Sequence, residues 1–326
     1  MPKELTHWML AERVLASLPI GGRVQGSIAR HRAAYLGGAV LPDTLAHIFR
    51  GPYHPTARLL SHRFHDPAGN SYAPLIRAER HFPQGVPDAL FSCFLGVICH
   101  MEADIALHPY VYAATGSACM GGHYRMETGI DLHFERRGAV PAQRRLDRLL
   151  CAPAREVMLS AARHLFDPDE ELPRQALEQS LALHCRFQGM YDKTIWKIAV
   201  RFLGKVCGSP FKEQQHLFYP LLRSAKGKIA TVCNDPWRHP ENGEMKSASI
   251  DELASEAVER TVAVFGRIEE AGSLAAALSG HPGANLLTGL HGVAKSNDVT
   301  PASQTSCAKS AKYPRSYARK ADNDSG

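Results

Sequence analysis

The chain of 326 residues has eight cysteines but no Cys-x-x-Cys pair and no short regular spacing between them. Cys93, Cys99, Cys119, Cys151, Cys185, Cys207, Cys233 and Cys307 therefore read as free thiols rather than a disulfide framework. No apolar run reaches the length a bilayer span needs. A secretory leader is also missing, since Glu12 and Arg13 interrupt Trp8–Ile20. The expectation is a cytoplasmic protein without a transmembrane segment. The net charge of +6 is modest, and no dense basic stripe with interleaved aromatics accompanies it, so nothing calls for a nucleic-acid partner. Repeats, alternating strand runs and convincing hairpin signals are likewise absent.

What remains is helical. A hydrophobic fraction of 44% is enough for a substantial core. Thr6–Leu18 has helical apolar spacing, and Asp43 or Thr44 caps a short helix up to Phe49. Residues 51–86, rich in Pro, Gly, His and Asn, are expected to form a long ordered loop. Within it Tyr53, Phe64, Tyr72 and Phe82 could wall a cleft. Pro87–Ala114 reads as a central helix, and a Gly-rich break separates it from another. Further helices are expected over about 142–165, 173–206 and 211–224. Ser249-Ile-Asp-Glu252 fits a capping box opening a last helix through Ile268. The fold class is all-α, with one domain over residues 1–280. From about 281 to 326 the chain is Ser/Thr/Ala/Lys-rich and is expected to be a disordered basic tail.

The chemistry concentrates in Phe94-Leu-Gly-Val-Ile-Cys-His100-Met-Glu-Ala-Asp104-Ile-Ala-Leu-His108-Pro109. Spacing of i, i+4, i+8 puts His100, Asp104 and His108 within roughly 80° of one helix face. The surroundings are apolar, and a buried charge without a partner is costly. A divalent metal is the simplest common partner. Gly121-Gly-His123-Tyr-Arg-Met-Glu127-Thr-Gly-Ile-Asp131 repeats the pattern, and imidazole with carboxylate is the usual non-thiolate zinc set. A lone His-x-x-x-Asp is more often a core hydrogen bond. Two such stacks so close together favour a metal site.

Other candidates are weak singly. His7 in Thr6-His7-Trp8 starts a helix, Asp43 reads as a cap, and His62 in Ser61-His62-Arg-Phe-His65-Asp66-Pro67 reads as a loop histidine. His47, His54, His65 and His81 carry less weight still. In order, however, Thr6-His7, Pro42-Asp43, Ser61-His62 with Asp66-Pro67, His100-x3-Asp104-x3-His108 and His123-x3-Glu127 resemble the zinc-dependent phospholipase C family, which is related to the single-strand-specific zinc nucleases. The resemblance is close over about residues 5–134 and looser over Trp237–Ile268.

The resemblance implies a multi-helix bundle with a metal cluster in a cleft. His108, His123 and Glu127 would hold one zinc ion. His62, His100 and Asp104 would hold a second, with Asp43 at or beside it. Asp104 would bridge to a third ion that also takes His7. The family's N-terminal Trp ligand has no counterpart in Met1-Pro2, so two zinc ions with a weak third are expected. Asp43 would act on the attacking water, and Asp131 would orient a ligand imidazole. The implied activity is hydrolysis of a phosphodiester, with a phospholipid as one substrate and peripheral membrane contact as a corollary. One alternative is an HD-type metal phosphohydrolase built on His65-Asp66, which the following Pro67-Ala-Gly-Asn disfavours as a helix. Another is a non-catalytic zinc-binding helical interaction domain, which a carboxylate-rich set without Cys disfavours.

Overall fold

The computed structural model describes residues 3–116, 120–208, 211–221 and 236–293. In chain order the elements are α1 (Glu4–Ser17), α2 (Arg23–Arg30), α3 (Arg32–Gly38), a 3-10 segment (Leu41–His47), α4 (His54–His65), α5 (Ala73–Glu79), α6 (Asp88–Thr115) and α7 (Met120–Arg136). Then follow α8 (Leu146–Leu149), α9 (Ala152–Phe166), α10 (Arg174–Gln188), α11 (Thr194–Val206) and α12 (Phe211–Gln214), β1 (Trp237–Arg238), β2 (Met245–Lys246), α13 (Ile250–Ala271) and α14 (Leu274–Ser279). The fold is all-α as expected. The sequence did not announce the β1–β2 hairpin, because two paired residues per strand leave no alternation to read.

Helix α6 is the hub. It is buried without a break from Leu90 to Val111, with α1, α2, α3, α7, α9 and α13 packed around it. A helix enclosed on all sides needs no solvent-facing polar stripe, and the polar row His100–Asp104–His108 on α6 is itself buried. Each fully buried Phe, Leu or Ile on it contributes about 1.5–3 kcal/mol. By length and hydropathy alone α6 could cross a membrane, contrary to the sequence expectation, but its apolar window lies wholly inside the fold. The run contains His100, Glu102 and Asp104. The helix runs through those residues because their side chains meet other polar groups within the core.

Two close approaches shape the ground for the site. Helix α3 crosses α6 almost backbone to backbone: a Cβ on Gly38 would lie 2.1 Å from the Cys93 carbonyl oxygen, and one on Gly96 2.0 Å from that of Tyr35. Further along, Pro109 inside α6 has no N–H to bond the Ile105 carbonyl. Gly289, at φ +67°, lies against that carbonyl, where a Cβ would sit 2.7 Å from the oxygen.

Gly289 belongs to residues 281–293, which the sequence placed in a disordered tail. They are packed: Ala284, Asn285, Leu286 and Thr288 are buried. Asn285 donates to Asp66 Oδ1 and the Pro67 carbonyl and accepts from the N–H groups of Leu287 and Thr288. The boundary expected at 280 therefore moves at least to 293. This segment holds by backbone and amide hydrogen bonds, which composition does not reveal. Residues 294–326 lie outside the described residues.

The expected 51–86 loop is also corrected. It contains α4 and α5, each with a proline, Pro55 or Pro74, in its first turn. There a missing N–H costs nothing and the fixed φ suits a helix start. Phe64 is buried, and the buried Tyr72 donates its hydroxyl to Glu102, so neither walls a cleft. The capping box forms as read, Ser249 Oγ accepting from the Glu252 N–H while the Glu252 carboxylate accepts from the Ser249 N–H.

Candidate metal centre

Five elements deliver side chains to one place. Helix α1 brings His7, the 3-10 segment Asp43, the last turn of α4 His65, α6 the stack His100–Asp104–His108, and α7 His123 with Glu127. Three groups have ligand atoms within 4.8 Å of one another: His7–Asp43–His100, His65–His100–Asp104 and His108–His123–Glu127. His100 belongs to two groups, and Asp104 Oδ2 lies 3.7 Å from His108 Nδ1, so the groups are contiguous.

Asp104 is at the middle. Its Oδ1 is 3.6 Å from His7 Nε2 and its Oδ2 3.2 Å from His100 Nε2. Asp43 Oδ1 lies 3.4 Å from His65 Nε2 and 3.7 Å from His100 Nε2. His123 Nε2 lies 2.7 Å from Glu127 Oε1. The rings of His7 and His100 stack at 4.1 Å. Side-chain exposure across the set does not exceed 13%, the highest value being at Asp43. Solvent therefore reaches the cluster most readily from the Asp43 side.

The outer hydrogen bonds fix which nitrogen faces inward. His100 Nδ1 lies 3.0 Å from the Ala39 carbonyl, His108 Nδ1 2.7 Å from that of Leu286 and His65 Nδ1 2.8 Å from that of Ser61. A carbonyl only accepts, so each Nδ1 carries the proton and each Nε2 presents a lone pair to the cluster. Backbone anchoring of this kind is how metal-ligating imidazoles are oriented. The α3–α6 crossing supplies the Ala39 carbonyl, and the 281–293 segment supplies that of Leu286.

Electrostatics point the same way. Burial alone would raise Asp104, but His108, His100 and His7 hold it well below the usual carboxylate range. Burial likewise opposes Asp43, and His100 with His65 still holds it down at about 2. Burial pushes His7 and His108 down to about 3. Against its own burial, His100 is raised by Asp104 and Asp43. The cluster is anionic and attracts positive charge.

Does this set fit a metal? Buried atoms without a hydrogen-bond partner include both nitrogens of His7, Asp43 Oδ1, both Asp104 oxygens and the Nε2 atoms of His65, His100 and His108. Leaving one such group unsatisfied costs about 1–3 kcal/mol, and so many gathered in adjoining groups call for bound cations. Nitrogen and carboxylate donors without thiolate suit zinc. The clusters fit zinc binding.

Of the eight ligands expected from sequence, seven come together. His62 does not. Buried positions on α4 are Ala57, Leu60, Phe64 and His65, so His62 is exposed and His65 stands in the cluster instead. Reading 54–65 as a helix with Ala57, Leu60 and Phe64 inward would have found it. Asp131 also departs from expectation. It accepts from the Thr6 N–H (2.9 Å), the Thr6 hydroxyl (2.5 Å) and the Tyr219 hydroxyl (2.5 Å). It thus pins the first turn of α1 beside His7 rather than orienting an imidazole. Burial raises its pKa to about 6.

Sequence reasoning also missed a support under Asp43. His47 Nδ1 donates to the Asp43 carbonyl at 3.1 Å and its ring stacks on His184 at 4.1 Å. His184 in turn meets Thr44 Oγ1 at 3.0 Å and Glu4 Oε1 at 3.4 Å. No short motif links residues 4, 44, 47 and 184, so only the fold reveals this network.

No curated protein and no solved structure shows significant similarity to the chain. Residues 6–166 match the family model described as zinc dependent phospholipase C, and this span contains every member of the three donor groups. Over that span the chain matches the zinc-dependent phospholipase C family.

Proposed function

We propose that the protein is a zinc-dependent phosphodiesterase of phospholipase C type, acting on a phospholipid. The family match supports zinc-dependent phosphoester hydrolysis at the level of the family; the diester and the lipid are our reading. The observation that carries it is the merging of three donor groups through His100 and Asp104, a set too large for a closed four-ligand structural zinc.

His108, His123 and Glu127 would hold one ion, and His65, His100 and Asp104 a second. His7, with Asp43, would serve a third. When bound, the ions supply Lewis acidity that lowers the pKa of water towards about 7 and neutralises charge on the phosphoryl oxygens. Asp43 is ionised and is the most open member of the set. It accepts a hydrogen bond from the attacking water and orients it towards phosphorus. Asp104 keeps its negative charge between His7 and His100, offsetting neighbouring dications. His65, His100 and His108, each anchored at Nδ1, hold their Nε2 lone pairs in place without reorganisation.

The rival readings are weaker. An HD-type site needs Asp66 at the metal, whereas Asp66 Oδ1 accepts from Asn285. A non-catalytic zinc domain would not need this many carboxylates and imidazoles. A substrate panel tests the proposal: phosphatidylcholine, a soluble phosphodiester, a nucleotide diester and a phosphomonoester, each with zinc-loaded and chelated protein. Diester cleavage that releases the phosphorylated head group, abolished by chelation, is expected. Turnover of the monoester alone would overturn the diester assignment.

A further inference from the structure

Helix α11 is built inside out. Its buried residues are Lys197 and Val200, whereas Ile195 is 72% exposed, Trp196 40%, Ile198 55%, Phe202 63% and Val206 66%. At 100° per residue these five residues lie on one arc of roughly 160°. A surface helix of a globular protein normally turns such an arc to the core. Here the orientation is fixed the other way by two contacts. Lys197 Nζ is held inside by Asp192 Oδ1 at 2.8 Å and the Pro220 carbonyl at 3.2 Å. Gly204 sits against the Lys212 backbone, where a Cβ would lie 3.3 Å from Cα. Rolling the apolar arc inward would break the lysine's bonds and close that gap.

The charges beside the arc indicate what it meets. Arg201 and Lys205 are exposed along one edge, Lys193 is exposed at the N-terminal end, and α11 contains no acidic residue. An apolar strip with a tryptophan at its margin and cations beside it matches a membrane interface with anionic head groups. A soluble protein partner with a greasy groove would require no such cationic border. Helix α11 also packs on α12, and α12 on α7, the helix that carries His123 and Glu127.

We propose that α11 is an interfacial docking helix that seats the protein on an anionic phospholipid surface. This deepens the reading of a phospholipid substrate, yet its test does not depend on catalysis. The full zinc-loaded chain is sedimented with vesicles of phosphatidylcholine alone or of phosphatidylcholine with one-third phosphatidylglycerol. Each basic side chain at the surface is worth about a fivefold gain in partition, so three predict about a hundredfold preference for the anionic vesicles, weakened by salt. Phe202→Glu and Ile198→Glu should each lower that partition at least about tenfold. Zinc content, melting temperature and hydrolysis of a soluble diester should stay unchanged, because these side chains face outward. Arg201→Glu should lower partition onto anionic vesicles and leave the neutral ones unaffected.

Absence of vesicle binding, or binding indifferent to Phe202→Glu, overturns the proposal. So does a dimer in sedimentation equilibrium that Phe202→Glu dissolves, which would make a second copy the occupant. A melting temperature lowered by Phe202→Glu would likewise overturn it by assigning the face to another segment of the chain, such as residues 222–235. Vesicle binding that Phe202→Glu removes, in a protein that hydrolyses no phosphoester, supports the docking helix while sinking the catalytic reading.

Discussion

Exchanging two histidines three residues apart discriminates sharply between the site's geometry and its sequence pattern. His65→Ala removes an imidazole whose Nε2 converges with His100 and Asp104, whereas His62→Ala trims an exposed side chain. Even residues that only orient a ligand cost 10–100-fold in metal affinity, so loss of a ligand should weaken zinc binding at that group by about a hundredfold or more. His62→Ala should leave affinity unchanged and stability within about 0.5 kcal/mol. The chelated proteins give a second signature. There His65→Ala forfeits the bond to the Ser61 carbonyl, worth about 1 kcal/mol, but also removes a buried Nε2 whose lack of a partner costs about 1–3 kcal/mol. The balance is at most about 2 kcal/mol in favour of the variant, so the metal-free His65→Ala chain should melt no lower than His62→Ala by this count, whereas the zinc-loaded one should melt lower. Chelator competition and thermal melts with and without zinc measure both. If His62→Ala strips zinc and His65→Ala keeps it, the inward face of α4 has been misassigned.

Other perturbations probe the supports. Asp104→Asn should lower zinc stoichiometry more than loss of any single histidine, because its two oxygens face His7 and His100; mass spectrometry of the metal content decides this. Gly38→Ala forces a Cβ to within 2.1 Å of the Cys93 carbonyl, so the backbone must shift. The expected cost is about 1–3 kcal/mol, together with weaker zinc binding as the Ala39 carbonyl leaves His100; denaturation and metal titration should report both. Asp131 is raised to about 6 in the fold from about 3.9 unfolded, so its contribution is fully present below about pH 4 and is lost as pH rises through 6. Relative to Asp131→Asn, the wild-type chain should lose about 2–3 kcal/mol between pH 4 and 7. Urea unfolding of the two chelated proteins across that range measures the difference, and parallel profiles would contradict it.

The stacks on α6 and α7 were legible because ligand spacing and helical periodicity coincide within one element. The family resemblance points to His62 rather than His65, and reading 51–86 as a loop leaves no helix face to decide between them; with Pro55 in the first turn of α4, Ala57, Leu60 and Phe64 define the inward face. Residues 281–293 were missed for a different reason. Their link to the site is the Leu286 main-chain carbonyl on His108, and a carbonyl leaves no trace in side-chain pattern. The Glu4–His184 support joins residues 180 positions apart, which only tertiary structure could pair. The apolar spacing of α11 was visible as helical, but the side it presents depends on Lys197 finding Asp192 and the Pro220 carbonyl.

Stepwise zinc titration of the metal-free chain, with bound metal counted by mass spectrometry and diester turnover followed at each step, tests the central claim most directly. Merged donor groups predict that turnover emerges only as the second zinc binds, with two or three ions per chain at saturation. Saturation at one tightly held zinc, with no turnover at any point, would contradict the account.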